Sequence, residues 1–162
     1  MFSIVKRSSE RSKDLLSSNL FNEVTFYKAF SKDVKRAKSE IVMESPFLTP
    51  KRSKEIAVLF ERLRKRGVKV SVYTRNPNHH DDDMRIQATI SIKILKDAGV
   101  KVIICNDLRH RKIAVIDKQI LWEGSLNFLS HNNSREVMRR TDSAVLSRQM
   151  LSFTGLNRWV WW

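Results

Sequence analysis

Hydrophobic and polar positions in this chain repeat with two periods, one typical of helices and one typical of strands. From Asn22 onward an apolar residue recurs about every four positions, which predicts an amphipathic helix. Segment 39–45 (SEIVMES) is a short apolar run stopped by Pro46, which predicts a buried strand. The apolar stripe of the helix consists of Phe26, Phe30, Val34 and Ala37.

The same order of helix and strand continues to residue 105. One amphipathic stretch over 53–66 and another that ends at Gly99 predict two further helices. Each precedes a run rich in β-branched residues, 68–74 and 100–105, which predicts a strand. The faces expected to be buried carry Ile56, Leu59, Phe60 and Leu63 in the first helix and Ile86, Ile90, Ile94 and Ala98 in the second.

The second half of the chain has a different pattern. Segments 112–117 and 119–124 predict two short strands around an Asp-Lys turn, and 134–140 is a further candidate strand before a helix over 143–153. Alternating helices and strands predict an α/β fold with a mixed, mostly parallel sheet. No internal repeat or domain boundary is visible. We therefore expect a basic arm with at most some helix over 1–20, followed by a single domain over 21–162.

Charge and composition narrow the functional classes. The chain has 162 residues, 31 Lys and Arg against 17 Asp and Glu, and a net charge of +14. This excess favours a polyanionic partner, with nucleic acid first, an anionic membrane surface second and an inert basic surface third. The single cysteine excludes a disulfide framework and a thiolate zinc site. No apolar stretch approaches a membrane span and the N-terminus is no secretory signal, so a cytoplasmic protein is expected.

The segment HRKIAVIDKQILWEGSLN carries the candidate chemistry. His110 and Lys112 are two positions apart, so in a strand they project to the same side. A neighbouring cation favours the neutral imidazole, which is a nucleophile suited to a bound phosphate. Ser125 and Asn127 supply neutral hydrogen-bonding groups for an anionic oxygen, and Gly124 allows close backbone approach.

Together with Asp117, these residues resemble the HKD signature of the phospholipase D superfamily: His-x-Lys, four residues, Asp, six residues, Gly-Ser-x-Asn. Segments SEIVMESPFLTPK and RGVKVSVYTRN resemble the first half of such a domain, so the resemblance covers about 22–155. It implies an α/β sandwich, a mixed sheet with helices on both faces. A complete site uses two such motifs, and single-motif members such as the small bacterial endonucleases form it as homodimers.

The resemblance also implies roles. His110 is the nucleophile that forms a phosphohistidine, and its symmetry mate protonates the leaving oxygen. Lys112 and Asn127 bind the phosphate oxygens and Ser125 supports the site, while Asp117 is structural. Glu136 occupies the place of a carboxylate that orients the histidine ring.

Other polar clusters have a plainer alternative. His79, His80 and the acidic run 81–83 suggest a metal site, but a solvated loop with Asp83 as helix cap is preferred, so no metal is assigned. His131 is expected to be a polar loop or helix-end residue rather than a substrate contact. The tryptophans of the C-terminal NRWVWW are expected to pack against the domain or a dimer mate rather than stack on bases, and Cys105 is expected in the core.

Basic residues near the motif are candidates for binding substrate. Arg109 could meet a neighbouring phosphate, whereas Arg111 should point away by strand alternation. Arg135, with Arg139 and Arg140, lies either in a substrate groove or on a basic face.

The sequence thus predicts a homodimeric, metal-independent phosphodiesterase that needs no cofactor and cleaves nucleic acid, with DNA favoured over RNA. The alternatives are a phospholipid hydrolase or transferase of the same superfamily, and a non-catalytic basic DNA-binding module of a larger protein.

Overall fold

A computed structural model of the chain describes residues 17–130 and 134–156. In this part, a seven-stranded sheet is combined with four α-helices. The strands are β1 (Ser18–Asn22), β2 (Glu40–Glu44), β3 (Lys69–Arg75), β4 (Lys101–Cys105), β5 (Lys112–Ile116), β6 (Ile120–Gly124) and β7 (Val137–Asp142). The helices are α1 (Phe26–Arg36), α2 (Pro50–Lys65), α3 (Asp82–Asp97) and α4 (Ala144–Thr154).

The sheet has the order β1-β7-β6-β5-β2-β3-β4. Strands β2, β3 and β4 run parallel, with α2 and α3 as the connections, whereas the four remaining neighbouring pairs are antiparallel. The prediction of an α/β fold with a mixed sheet is confirmed. The share of parallel pairing is smaller than the pattern predicted, because β5 turns back along β2 and the following strands continue by antiparallel pairing.

Helices cover both faces of the sheet, as predicted. Alternation along β5 sends Ala114 and Ile116 to the larger core beneath α1, α2 and α3, and Ile113 and Val115 to a smaller core beneath α4. Trp122 is fully buried in the larger core. Its indole nitrogen donates to Asp33 at 2.9 Å, and its ring lies 5.0–5.9 Å from the rings of Phe21, Phe26 and Phe30.

Three local predictions were wrong. Residues Ser18 to Leu20 belong to β1, which pairs antiparallel with β7, rather than to an arm with at most some helix. The side chain that caps α3 is Asp81, which accepts a hydrogen bond from the backbone N–H of Met84 at 2.8 Å, rather than Asp83. The buried face of α3 carries Ala88, Ser91, Ile92 and Leu95, whereas Ile86 and Ile90 are exposed. The other two residues of the predicted face, Ile94 and Ala98, do pack in the larger core, so the prediction was wrong only at Ile86 and Ile90.

Residues 1–16, His131 and the C-terminal tryptophans lie outside the described residues. Cys105 ends β4 half-buried, packed against the smaller core. Burial raises the pKa of its thiol.

A tight hairpin joins β5 to β6 and is tied to β2. Asp117 and Lys118 both have a φ of 53°, the left-handed region that two-residue hairpin turns require. The Asp117 carboxylate accepts hydrogen bonds at 2.8–3.0 Å from the backbone N–H groups of Lys38, Ser39 and Glu40. Burial alone would raise the pKa of Asp117, but these donors outweigh it and lower the pKa. The structural role predicted for Asp117 is confirmed.

Candidate active site

The residues of the predicted motif lie together where the central strands of the sheet end. Strand β2 ends there at Glu44 while β5 begins there at Lys112, because these strands run antiparallel. Strand β6 ends beside Lys112, since Gly124 is its register partner. An open cavity of about 650 Å³ lies there. It is lined by all five predicted catalytic residues: His110, Lys112, Ser125, Asn127 and Glu136.

His110 and Lys112 are in direct contact. The Lys112 ammonium lies 2.8 Å from Nδ1 and 3.2 Å from Nε2 of the imidazole, and it donates to the His110 main-chain oxygen at 2.6 Å. Lys112 is 6 % exposed, whereas His110 is exposed to the cavity. Burial lowers the pKa of Lys112 below its ordinary 10.5, and the nearby Glu136 charge partly opposes this. An ammonium donates hydrogen bonds and accepts none, so in this contact the ring nitrogen is the acceptor.

Asn127 lines the cavity and has an unsatisfied polar atom. Only 6 % of the residue is exposed, and its Oδ1 atom is buried without a hydrogen-bond partner among the described residues. Tyr27 anchors the loop that carries Asn127, because its hydroxyl lies 2.9 Å from the main-chain oxygen of Asn127 and 3.0 Å from that of Ser130. An unpaired Oδ1 needs a hydrogen-bond donor, whereas an oxygen of a phosphate group would bind the Nδ2 amino group of the same side chain.

Ser125 and Glu136 form one hydrogen-bonded unit at the cavity wall. The hydroxyl groups of Ser125 and Ser134 donate to the two carboxylate oxygens of Glu136. The Glu136 backbone N–H donates to Glu23, and this bond is the main cause that lowers the pKa of Glu23. The role of Glu136 in orienting the His110 ring stays a prediction.

Gly124 permits the close approach of β6 and β7 beside this unit. A side chain at this position would collide with the carbonyl oxygen of Val137, so the expectation of close backbone approach is confirmed.

Four further residues line the cavity that sequence reasoning did not single out as site residues. Phe47 meets the imidazole of His110 edge to face, with ring centroids 5.8 Å apart, and packs on His80 at 5.2 Å. Phe47 and Thr49 follow the carboxyl end of β2, which is where α/β sheets place binding residues, and this position was the available signal. The other two are Met84 and Ser130.

Arg109 and Arg135, the arginines predicted to bind substrate, both pair with carboxylates of the chain, and their contact with substrate stays a prediction. The Arg109 side chain is 12 % exposed and forms an ion pair with Asp107. Arg111 lies in a second groove on the α4 face, as strand alternation predicted. Arg135 is 95 % exposed and pairs with Glu23 at 3.0 Å, while Arg140 pairs with Asp33 at 2.7 Å.

No group of three or more His, Cys, Asp or Glu within residues 17–130 and 134–156 is placed to hold a metal ion. None of the helices described is long and apolar enough to cross a membrane.

Comparison with known proteins decides the family. Residues 30–153, more than half of the chain, match the family model described as cardiolipin synthase, PLD-like domain. The chain belongs to the phospholipase D superfamily. The match includes the whole motif from His110 to Asn127, and no curated protein matches the chain.

Solved structures share this fold, and one of them, Nuc, is described as a phospholipase D family member. Nuc from Salmonella typhimurium is 17% identical with a TM-score of 0.69, covering 85% of this chain and 90% of its own. NucT from Helicobacter pylori is 21% identical with a TM-score of 0.67, covering 84% and 91%. Phosphatidylserine synthase from Haemophilus influenzae is 10% identical with a TM-score of 0.64, covering 88% of this chain but 39% of that one. These likenesses establish the fold.

Proposed function

We propose that this phospholipase D superfamily member is a metal-independent phosphodiesterase that cleaves nucleic acid through a phosphohistidine in a homodimeric site. One observation carries the proposal: His110, Lys112 and Asn127, whose Nδ2 amino group can donate to a phosphate oxygen, line a single cavity. These groups supply a nucleophile, a cation and a neutral hydrogen-bonding group, which is what transfer of a phosphoryl group requires.

The reaction has two displacements at phosphorus. A ring nitrogen of His110 attacks the phosphorus atom, the bond to the leaving sugar oxygen breaks, and a histidine acid protonates that oxygen. Water then attacks the phosphohistidine and the P–N bond breaks. The second histidine, which lost its proton in the first step, now acts as the base and accepts a proton from the water. Lys112 neutralises the charge of the phosphate oxygens, which a metal ion would otherwise do. The Asn127 amide binds a further phosphate oxygen.

A second copy of the chain would provide the acid. In the described residues, His110 is the only histidine that lines the cavity. A groove of about 510 Å³ on the α4 face touches this site, since it shares Lys112 and Gly124 with the cavity. Three exposed apolar side chains border it: Leu20 (63%), Val137 (51%) and Phe153 (86%). An exposed apolar surface next to a half-complete site favours a two-fold interface there.

The net charge of +14 supports nucleic acid as the substrate. A phospholipid substrate is the second candidate, favoured by the family description as a cardiolipin synthase domain and by the fold shared with phosphatidylserine synthase. Both substrates contain a phosphodiester, so the motif itself does not choose between them.

The test is an assay on labelled DNA, RNA and anionic phospholipid vesicles, all in EDTA. We expect cleavage of nucleic acid, and its loss in His110→Asn. His79→Asn is the matched control, because His79 is exposed and lies outside the cavity lining. The intermediate is trapped by rapid quench as an acid-labile, base-stable nucleic-acid adduct on His110, and light scattering should show a dimer of the 19.0 kDa chain.

Four results would contradict the proposal. Turnover of vesicles alone would support the phospholipid enzyme. Binding of DNA without cleavage would support a non-catalytic module. Full activity of His110→Asn, or cleavage by a strict monomer, would exclude the mechanism.

A further inference from the structure

A buried carboxylate, that of Glu44, contacts the two residues that flank His110. Glu44 is the last residue of β2, and its side chain has no exposed surface. Its carboxylate oxygens accept hydrogen bonds from Nε and Nη2 of Arg111 at 3.1 and 3.0 Å. Nη1 of Arg109 lies 3.5 Å from Oε2 of the same carboxylate. Glu44 therefore joins the two arginines that flank His110.

Asp107 completes a network of two carboxylates and two guanidinium groups. Arg109 donates from Nε and Nη2 to the two oxygens of Asp107, both at 2.6 Å. These hydrogen bonds are the main cause that lowers the pKa of Asp107 and raises that of Arg109. A buried carboxylate is tolerated only when it is paired, so the fold retains Glu44 together with its arginines.

The network acts on a segment that the sheet does not hold. Residues 106–111 lie outside the strands, and β5 begins only at Lys112. Glu44 is opposite Ile113 in the register of β2 and β5, so its carboxylate reaches the residues just before β5. Arg109 and Arg111 both reach the Glu44 carboxylate, whereas His110 between them lines the cavity and contacts Lys112.

We propose that Glu44 is a positioning residue that holds His110 toward the cavity by anchoring Arg109 and Arg111 on the opposite side. This inference rests on the proposed function of His110 as nucleophile. Small displacements of a reacting group reduce rates strongly. In the described residues, Glu44 forms no ion pair or hydrogen bond with Lys112 or Asn127, the two residues proposed to bind the phosphate oxygens. Loss of the Glu44 charge should therefore lower kcat and leave substrate affinity unchanged.

The test compares Glu44→Gln with Glu40→Gln. Glutamine keeps the shape of the side chain and removes the charge that binds both arginines. Glu40 is the matched control, because it is a buried, ion-paired carboxylate at the other end of β2, 3.3 Å from the Lys118 ammonium. We expect the rate of phosphohistidine formation in Glu44→Gln to fall at least ~10-fold. Affinity, measured in the His110→Asn background, should not change, and Glu40→Gln should keep the wild-type rate.

A second variant covers the case in which Glu44→Gln does not fold. Arg111→Lys keeps a cation beside Glu44 but cannot donate two parallel hydrogen bonds, so kcat should fall less while KM stays the same.

Wild-type kcat in folded Glu44→Gln, or in Arg111→Lys if the former fails to fold, would overturn the positioning role, as would an effect confined to KM. Full activity of His110→Asn would instead refute the proposed function itself.

Discussion

Replacing Lys112 by methionine should stabilise the protein and inactivate it. Lys112 is 6 % exposed, and none of the ion pairs among the described residues includes it. Its ammonium donates to the main-chain oxygen of His110 at 2.6 Å. Burial of a charge without a close counter-ion costs several kcal/mol, and a charged hydrogen bond returns about 1.5–3 kcal/mol. We therefore expect the charge of Lys112 to lower the free energy of unfolding, a cost that its proposed binding of phosphate would explain.

Methionine fills the same space without the charge. We expect the free energy of unfolding of Lys112→Met to rise by about 1 kcal/mol, which corresponds to roughly 2–4 °C in Tm for a chain of this size. Loss of the cation that faces the phosphate should lower kcat by at least ~100-fold. The two effects have opposite signs, which a variant that simply damages the fold would not show.

Urea titration and thermal melting measure the stability of Lys112→Met, and the nucleic-acid cleavage assay measures its activity. Lys93→Met is the control, because the Lys93 side chain is 77% exposed and pairs only across one helical turn with Asp97. Its stability should change by less than ~0.5 kcal/mol and its activity should be unaffected. A Lys112→Met protein that is destabilised by more than ~1 kcal/mol would show that burial of the Lys112 charge does not cost more than its hydrogen bond returns.

Three further outcomes follow from the structure. Asp117→Ala should lower the free energy of unfolding by about 3 kcal/mol in urea titration, because three backbone N–H groups lose their acceptor. In the wild type, the lowered pKa of Asp117 means that this contribution is present above pH 3.8 and is lost as pH falls through the folded pKa, which acid titration of stability would show. Activity should decline on the alkaline side below pH 10.5, since burial lowers the pKa of Lys112 and only its charged form serves the phosphate; a pH–rate profile checks this. Binding of nucleic acid should weaken linearly in log–log plots against salt, and a flat plot would argue against phosphate contacts.

The residues of the predicted site were identifiable from the sequence because they are close along the chain. His110, Lys112, Ser125 and Asn127 lie on or beside one hairpin, and their spacing produced the resemblance to the HKD signature that grouped them in one site. The helices were also predictable, since burial of one face imposes a period on the residues.

Contacts between distant parts of the chain were not predictable in this way. The clamp on Arg111 comes from Glu44, which is 67 positions away, and no local pattern marks that pair. Pairing of β1 with β7 joins the two ends of the described chain, so residues near position 20 had no neighbour in sequence that indicated a strand. The face of α3 was misassigned at Ile86 and Ile90, because apolar residues with helical spacing occur on two sides of this helix and only packing against α2 and the sheet selects the buried one.

The hairpin between β5 and β6 restricts which insertions and deletions the gene can tolerate. At the turn of the hairpin, Asp117 is hydrogen-bonded to the start of β2, and at its open end Lys112 pairs with Gly124. The distance between these two points therefore fixes the length of each strand at five residues. Adding or removing one residue in β5 would turn Lys112 to the opposite face, and a matched change in both strands would move the motif off the end of β2. The number of residues between His110 and Asn127 is therefore fixed by the hairpin. We expect this site to diverge by substitutions rather than by insertions or deletions.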